Sequence, residues 1–261
     1  NVYSAAIPAI NTVQIEDIDS SIVEHITGFA ETETIYTKAV IWDIAGNSST
    51  GIISASEVII DQIAPDVLSF ITITTTATQN SVADYWNSYN TDIHFTVDAP
   101  AIDPTLVNGN YQFYLRTSTN PYEAFGAPNN IPAVGEYTFD YTSTTFEAIT
   151  GFTDGFLIDA KFVLTDVAGN STEGTISEDF LTIDQTPPVE SSFIETSTSF
   201  DNYMNSSDTL HATWNDFTDA TSGIDIYHYA STLDGVAPVA NDWNNVPIGE
   251  TTYIDSLTIP N

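Results

Sequence analysis

The segment Asp43-Ile44-Ala45-Gly46-Asn47-Ser48 returns later in the chain as Asp166-Val167-Ala168-Gly169-Asn170-Ser171. Around it, residues 26–66 align with residues 149–189 at a constant offset of 123 without a gap, and 19 of the 41 aligned positions are identical. The D-Q-x-x-P segment that begins at Asp61 likewise returns at Asp184. A period this long indicates a chain of separate domains rather than a solenoid, whose short repeats share one core.

The repeat divides the chain into one whole module between two part-modules. Residues 1–64 are predicted to be the C-terminal part of one module, residues 65–187 a complete module, and residues 188–261 the N-terminal part of a third. Because a part-module lacks partner strands for its edges, we expect each one to be completed. The missing strands could come from further residues of a longer polypeptide or from a neighbouring copy.

The alternation of apolar and polar residues predicts β-strands throughout the chain. In the strand before each D-x-A-G-N turn, every second residue should face a core. These inward residues are Ile35, Thr37, Ala39 and Ile41 in the first copy, and Ile158, Ala160, Phe162 and Leu164 in the second. Lys38 and Lys161 then point outward, where the simplest role is an ion pair with an acid on the adjacent strand. Short strands separated by Gly, Pro, Asn and Asp predict an all-β fold of tandem immunoglobulin-like β-sandwich modules in an elongated array.

The charge balance excludes several kinds of partner. The chain has 36 Asp and Glu against three Lys and Arg, which gives a formal net charge of −33. Such a charge opposes binding to nucleic acid or to anionic membrane, because both need basic residues to displace counterions. It favours solubility and sites for divalent cations. The chain has no cysteine and no apolar run of the ~20 residues that a membrane-spanning helix needs, so disulfides and direct membrane insertion are not expected.

The repeat resembles the bacterial immunoglobulin-like and fibronectin-III-like tandem repeats of giant surface adhesins and filaments. The residues that carry the likeness are Val163 to Asn170, the Asp-x-x-x-Pro linkers at Asp61 and Asp184, and the Ser222-Gly223-Ile224-x-x-Tyr227 segment. The Thr- and Asn-rich, lysine-poor composition further resembles surface proteins of marine Bacteroidetes. The resemblance implies an extracellular, cell-surface protein whose modules serve as spacers or as binders.

The linker and turn aspartates are candidate calcium ligands. Calcium prefers six to eight oxygen ligands from carboxylates, carbonyls and water, and related adhesin arrays hold it at their linkers. The candidates at the module boundaries are Asp43, Asp61, Asp166 and Asp184. Two other interpretations stay open: the turn aspartates could serve only to cap backbone N–H groups, and the other acids could form a solvated surface. No EF-hand loop is present.

Two tripeptides are candidate modification sites. Asp208-Thr209-Leu210 and Asp255-Ser256-Leu257 resemble the acceptor pattern for O-glycans in Bacteroidetes, which makes Thr209 and Ser256 the candidate attachment residues. No catalytic residues are assigned, because the chain contains no nucleophile elbow, no zinc-protease motif and no phosphate-binding loop. An enzyme is not expected.

Three functions fit these observations. The first is a structural extender or filament shaft. The second is a module that binds a glycan or another surface, through the insertion from Asn120 to Gly135 or through aromatic side chains such as Tyr85, Trp86 and Trp214. Such a Trp could equally belong to the core. The third is a filament subunit in which the open front of one copy pairs with the open back of the next.

Overall fold

The computed structural model describes residues 17–99, 105–189, 193–197, 210–214, 217–230, 232, 236–240, 243–246 and 252–255. Within these ranges the chain is built from β-strands and two one-turn helices, so the all-β prediction is confirmed. Among the described residues no helix is long and apolar enough to cross a membrane. The first region (residues 17–64) contains α1 (Ser20–Val23), β1 (Thr34–Ile35) and β2 (Val58–Ile59).

The middle region (residues 65–187) contains the longest strands. In chain order its elements are β3 (Thr72–Ala77), β4 (Tyr85–Trp86), β5 (Asn90–Ala99), β6 (Asn110–Thr117), β7 (Glu123–Asn130), β8 (Gly135–Thr142), α2 (Ser143–Phe146), β9 (Leu157–Thr165), β10 (Ser171–Glu173) and β11 (Ser177–Ile183). One sheet has the strand order β3-β5-β8. The other has the order β4-β11-β9-β6-β7, with β10 also paired to β9. All of these pairs are antiparallel except the parallel pair of β4 with β11.

The two sheets of the middle region pack face to face on an aromatic core. Phe95 of one sheet stacks on Phe113 of the other with 5.1 Å between ring centroids, and Phe70 meets Phe162 edge-on at 4.9 Å. The predicted inward residues of β9 are fully buried: Ile158, Ala160, Phe162 and Leu164 each have 0% exposure. The face prediction for this strand is therefore confirmed.

The tryptophan of β4 belongs to this core. Trp86 has 0% exposure, packs on Phe146 at 4.5 Å between ring centroids, and donates its indole N–H to Glu147 at 2.9 Å. A fully buried ring presents no face to a ligand. The hypothesis that Trp86 stacks on sugars is therefore wrong, and the core alternative is confirmed.

The segment from Asn120 to Gly135 is largely a strand rather than a loop. Its residues 123–130 form β7, which pairs with β6 at the edge of the larger sheet. Gln112 of β6 secures this pairing, because its side-chain amide donates to the carbonyls of Phe113 and Phe125 at 2.8 and 3.2 Å.

The first region keeps the strand geometry of the repeat but not its burial. Thr34 pairs with Ile59 and Ile35 with Val58, and their counterparts Leu157 with Thr182 and Ile158 with Leu181 pair in the same register. However, Ile41 is 59% exposed, whereas its counterpart Leu164 is completely buried. The predicted inward face of the first region is thus open in the described part of the chain.

The third region (residues 188–261) contains two small sheets. β12 (Phe193–Ser197), β13 (Leu210–Trp214) and β16 (Thr252–Asp255) form one sheet in the order β12-β13-β16, and β14 (Tyr227–Tyr229) pairs with β15 (Asn244–Val246). Trp214, Tyr229 and Val246 form its buried cluster, so the core interpretation is also confirmed for Trp214.

Candidate functional site at the module junctions

The D-x-A-G-N turn is a local hydrogen-bonded unit. In the middle module Asp166 Oδ1 accepts the backbone N–H groups of Ala168 and Asn170, both at 2.9 Å, and its Oδ2 accepts the side-chain amide of Asn170 at 3.0 Å. Gly169 has a φ of 95°, which a side chain with a Cβ rarely adopts. Aspartate and glycine are therefore needed at these two positions, as the capping interpretation predicts.

The first copy of the turn has the two bonds to its asparagine in a more exposed setting. Asp43 accepts the backbone N–H and the side-chain amide of Asn47, both at 2.7 Å. The side-chain amide and then the backbone N–H of Asn47 stabilise the ionised carboxylate and hold the pKa of Asp43 below its ordinary value.

The linker after each repeat is anchored to the module that precedes it. The backbone N–H of Gln62 donates to Glu31 at 3.0 Å, and that of Gln185 donates at 2.9 Å to Asp154, which is the counterpart of Glu31 in the repeat. The side chain of Gln185 also donates to Glu147 at 2.7 Å. Each linker is therefore hydrogen-bonded to the region that precedes it.

At the first junction the linker is also attached to the module that follows. The side-chain amide of Asn170, in the turn of the middle module, donates to the Asp61 carbonyl at 3.2 Å and to Asp61 Oδ1 at 3.3 Å. These residues lie 109 positions apart in the sequence. The turn thus makes a long-range contact as well, because it joins the segment at Asp61 to the middle region.

Each linker aspartate has one buried oxygen without a hydrogen-bond partner: Oδ2 of Asp61 and Oδ1 of Asp184. Asp184 as a whole is 9% exposed, and its backbone N–H is held by the Trp86 carbonyl at 2.9 Å. Burying a carboxylate oxygen without a donor or a cation is costly. A buried carboxylate oxygen thus lacks a hydrogen-bond donor at Asp61 and again at its repeat counterpart, Asp184.

A pocket of about 270 Å³ opens beside Asp184, at the second junction. It lies between the middle and third regions and is lined by Val82, Tyr85, Asn87, Asp184, Ser222, Gly223 and Asp225. On the third-region side it is shaped by a turn in which Asp219 accepts the backbone N–H groups of Thr221, Ser222 and Gly223 at 3.0, 2.8 and 3.1 Å. Burial opposes ionisation of Asp219, but these N–H donors outweigh it and lower its pKa.

The four predicted calcium ligands fall into two kinds. Asp43 and Asp166 direct their carboxylates at donors within their own turns, whereas Asp61 and Asp184 carry the oxygens that lack a partner. Among the described residues no three His, Asp or Glu side chains come close enough together to hold a metal ion. A cation at the junctions would therefore need backbone or amide oxygens and water besides the linker carboxylate, which calcium accepts. The calcium assignment stays a prediction at all four positions.

A second cluster of charged and aromatic side chains was missed by the sequence reasoning. The guanidinium of Arg116 lies 4.6 Å from the ring centroid of Tyr122, and Lys161 Nζ lies 4.7 Å from the same centroid. Arg116 pairs with Asp159 at 2.6 Å and Lys161 with Glu173 at 2.7 Å, so the ion pair expected of Lys161 with an adjacent strand is confirmed. The alternation of apolar and polar residues along β6 predicts that Arg116 points away from the core. It does not predict that Tyr122 lies next to Arg116.

The two candidate glycosylation residues, Thr209 and Ser256, lie outside the described residues. Comparisons with protein-family models and with curated proteins found no match to this chain. The assignment of function therefore depends on the repeat and on the junctions.

Proposed function

We propose that the chain is a stretch of structural extender or filament-shaft modules from a large secreted bacterial surface protein of the adhesin type, and that it has no catalytic role. The junction at Asp61 carries this proposal. Its linker is hydrogen-bonded to Glu31 on one side and to Asn170 on the other. A linker held on both sides limits the angle between modules, as a shaft requires. The net charge of −33 keeps neighbouring shafts apart and soluble in an extracellular setting.

Small-angle X-ray scattering of the whole chain tests the extender. We expect a radius of gyration well above the about 18 Å of a compact globule of this length. Asn170→Ala removes the amide that contacts Asp61 and should broaden the distribution of lengths. Asn47→Ala is the matched control, because its amide bonds to Asp43 within its own turn. A compact particle would refute the extender, and equal broadening by both variants would refute the role of the junction.

Calcium is the cation that we propose for the junctions. The support is the buried, unpartnered oxygen on each of two repeat-related aspartates, Asp61 and Asp184. A divalent ion would supply the missing partner and stiffen each linker further. Asp225 lines the pocket at Asp184 and would be a further ligand there.

Calorimetric titration with calcium after chelator treatment tests this site. We expect Asp184→Asn to weaken or abolish one binding event, because it removes the charge of the linker carboxylate. Asp43→Asn changes charge equally in an exposed turn: unchanged binding in this variant would confine the site to the linker aspartates, and weakened binding would include the turn aspartate. If the chelator-treated chain binds no calcium, and if adding calcium does not change its melting temperature, the junctions hold no calcium. The extender proposal would be unaffected, because it is tested by scattering.

Recognition of a glycan or another surface is the alternative function. The candidate segment from Asn120 to Gly135 forms the edge strand β7 and its flanking turns. A glycan array probed with the whole chain tests this alternative, which stays a prediction.

A further inference from the structure

The last strand of the middle module, β11, is paired with β4, near the start of the module. The two strands run parallel, with Trp86 opposite Ile183. The backbone N–H of Thr182 donates to the Asp84 carbonyl at 2.8 Å. That of Asp184 donates to the Trp86 carbonyl at 2.9 Å. The strands through which the chain enters and leaves the module are therefore hydrogen-bonded to each other.

The parallel direction of this pair decides how tension along the chain would load it. A pull reaches β4 from its N-terminal end and β11 from its C-terminal end. In a parallel pair these are opposite ends, so the pull slides the strands along each other and loads their hydrogen bonds together. In an antiparallel pair they would be the same end, and the bonds would break one after another. The pair of β4 with β11 thus has the geometry that resists extension.

Both strands of this pair are anchored in the core. Trp86 and Ile183 are completely buried, and Leu181 of β11 is 5% exposed. Sliding the strands apart therefore brings large apolar side chains into water, which is costly. By contrast, none of the six residues of β3 is fully buried. This strand, which a pull on the N-terminal side reaches before β4, can detach with a smaller loss of buried surface.

One carboxylate connects β4 with the segment that follows β11. Glu147 Oε1 accepts the indole N–H of Trp86 at 2.9 Å and the side-chain amide of Gln185 at 2.7 Å. Gln185 is the second residue after β11, and its backbone N–H is held by Asp154 at 2.9 Å. Hydrogen bonds to an ionised acceptor are stronger than those between neutral groups. Glu147 therefore fastens the entering strand and the leaving linker to the same point of the module.

We propose that the middle module bears tension, and that β4, β11 and the side chain of Glu147 form a clamp that must break before force can unfold the module. Tension first releases the segment before β4. The clamp then holds the 97 residues between Trp86 and Asp184 until the Trp86 ring leaves the core.

Resistance to force is a further function, beyond that of a spacer. It rests on the proposed shaft, because a shaft is pulled from both ends. The two proposals can nevertheless fail separately. Scattering measures whether the chain is elongated, whereas pulling measures whether β4 and β11 hold, and a weak module could still belong to an elongated chain.

Single-molecule pulling of the whole chain tests the clamp. The chain has no cysteine, so one cysteine added at each end provides defined attachment points. We expect a small extension as the segment before β4 is released, and then, at higher force, one event of about 330 Å, the extended length of 97 residues. A single event of about 420 Å, the length of all 123 residues of the module, would place the resistance before β4 and overturn the proposal. Release of the 97 residues in several smaller steps would overturn it as well.

Two glutamate variants separate the clamp from general stability. Glu147→Ala removes the acceptor of Trp86 and Gln185. Glu123→Ala is the matched control, because this half-buried carboxylate also accepts two bonds, both from Thr150, but lies outside the clamp. Both variants should lower the urea midpoint to a similar extent. Only Glu147→Ala should raise the rate of unfolding at a given force, by about 10-fold or more, because only its bonds break as the clamp opens. Equal rates in the two variants would refute the clamp.

Gln185→Ala is a milder variant that leaves the core intact. It removes the bond from the linker to Glu147 but leaves the indole N–H of Trp86 its acceptor. Its rate of forced unfolding should lie between those of the parent chain and Glu147→Ala, with the circular dichroism of the parent. Gln62→Ala changes the counterpart in the first linker and should leave the rate unchanged. If Gln185→Ala unfolds under force as slowly as the parent chain, Glu147 carries no load and the proposal is wrong.

Discussion

The first region and the middle module have nearly the same local hydrogen bonds but very different burial. The backbone N–H of Thr32 donates to the Ile60 carbonyl at 2.9 Å, and its counterpart Gly155 donates to Ile183 at 2.8 Å. The helices α1 and α2 also fall at equivalent positions, which extends the structural repeat back to Ser20. Yet Val58 is 61% exposed where Leu181 is 5% exposed. The difference shows that turns and short-range pairing follow local sequence, whereas burial depends on strands supplied from elsewhere.

The largest contrast should come from matched core truncations. Leu164→Ala removes a fully buried side chain and should cost about 2–5 kcal/mol of unfolding free energy. Ile41→Ala changes the counterpart, which is 59% exposed, and should stay within about 0.5 kcal/mol under conditions where the chain is monomeric. Urea unfolding followed by hydrogen exchange measures both, at the β6 and β9 amides for Leu164→Ala and at the β1 and β2 amides for Ile41→Ala. Similar losses at the two sites would mean that the first region is also covered in solution.

A smaller contrast is expected at the turn aspartates. Asp166 is only 4% exposed, and Asp166→Ala leaves the N–H groups of Ala168 and Asn170 without their acceptor. The variant should lose about 1–3 kcal/mol of unfolding free energy. Asp43→Ala removes the equivalent bonds in an exposed turn, where water replaces them, and should cost much less. Thermal unfolding at neutral pH compares the two variants. A larger loss of stability in Asp43→Ala than in Asp166→Ala would show that burial does not determine how much the turn aspartate stabilises the fold.

The smallest expected effect is on acid stability in the first region. The pKa of Asp43 is lowered by Asn47 in the folded chain, so the ionised carboxylate stabilises its turn fully above the ordinary pKa of about 3.9. This contribution is lost as the pH falls through the lower pKa of the folded state. Carboxyl carbon NMR titration should find the Asp43 pKa below its ordinary value, and Asn47→Ala should return it towards that value. An unchanged pKa in the variant would contradict the assigned cause.

Much of the middle module could be predicted because strand alternation has a period of two residues. The inward positions of β9, including Phe162, follow from that period alone once one apolar residue is assigned to the core. The Asp and Gly of the turn were likewise predictable, since few other residues can cap N–H groups or adopt a positive φ.

Contacts between distant segments could not be predicted in the same way. The segment around β7 is rich in Pro, Asn and Gly and lacks a clear alternation, so its pairing with β6 depends on the edge that β6 offers. The bond from Asn170 to Asp61 joins residues from consecutive modules, and neither local sequence contains a signal of the other. The same is true of Tyr122, whose place between Arg116 and Lys161 requires three strands to be in register.

The sequence by itself determined the repeat, the turn chemistry, the faces of the strands and the acidic character of this protein, because each depends on residues a few positions apart or on composition. Only the tertiary structure decided which of those faces are covered and which linker oxygens lack a partner. Burial and hydrogen-bond satisfaction are set by whatever packs against a residue, and the residues next to Ile41 and Asp184 in the sequence do not specify it.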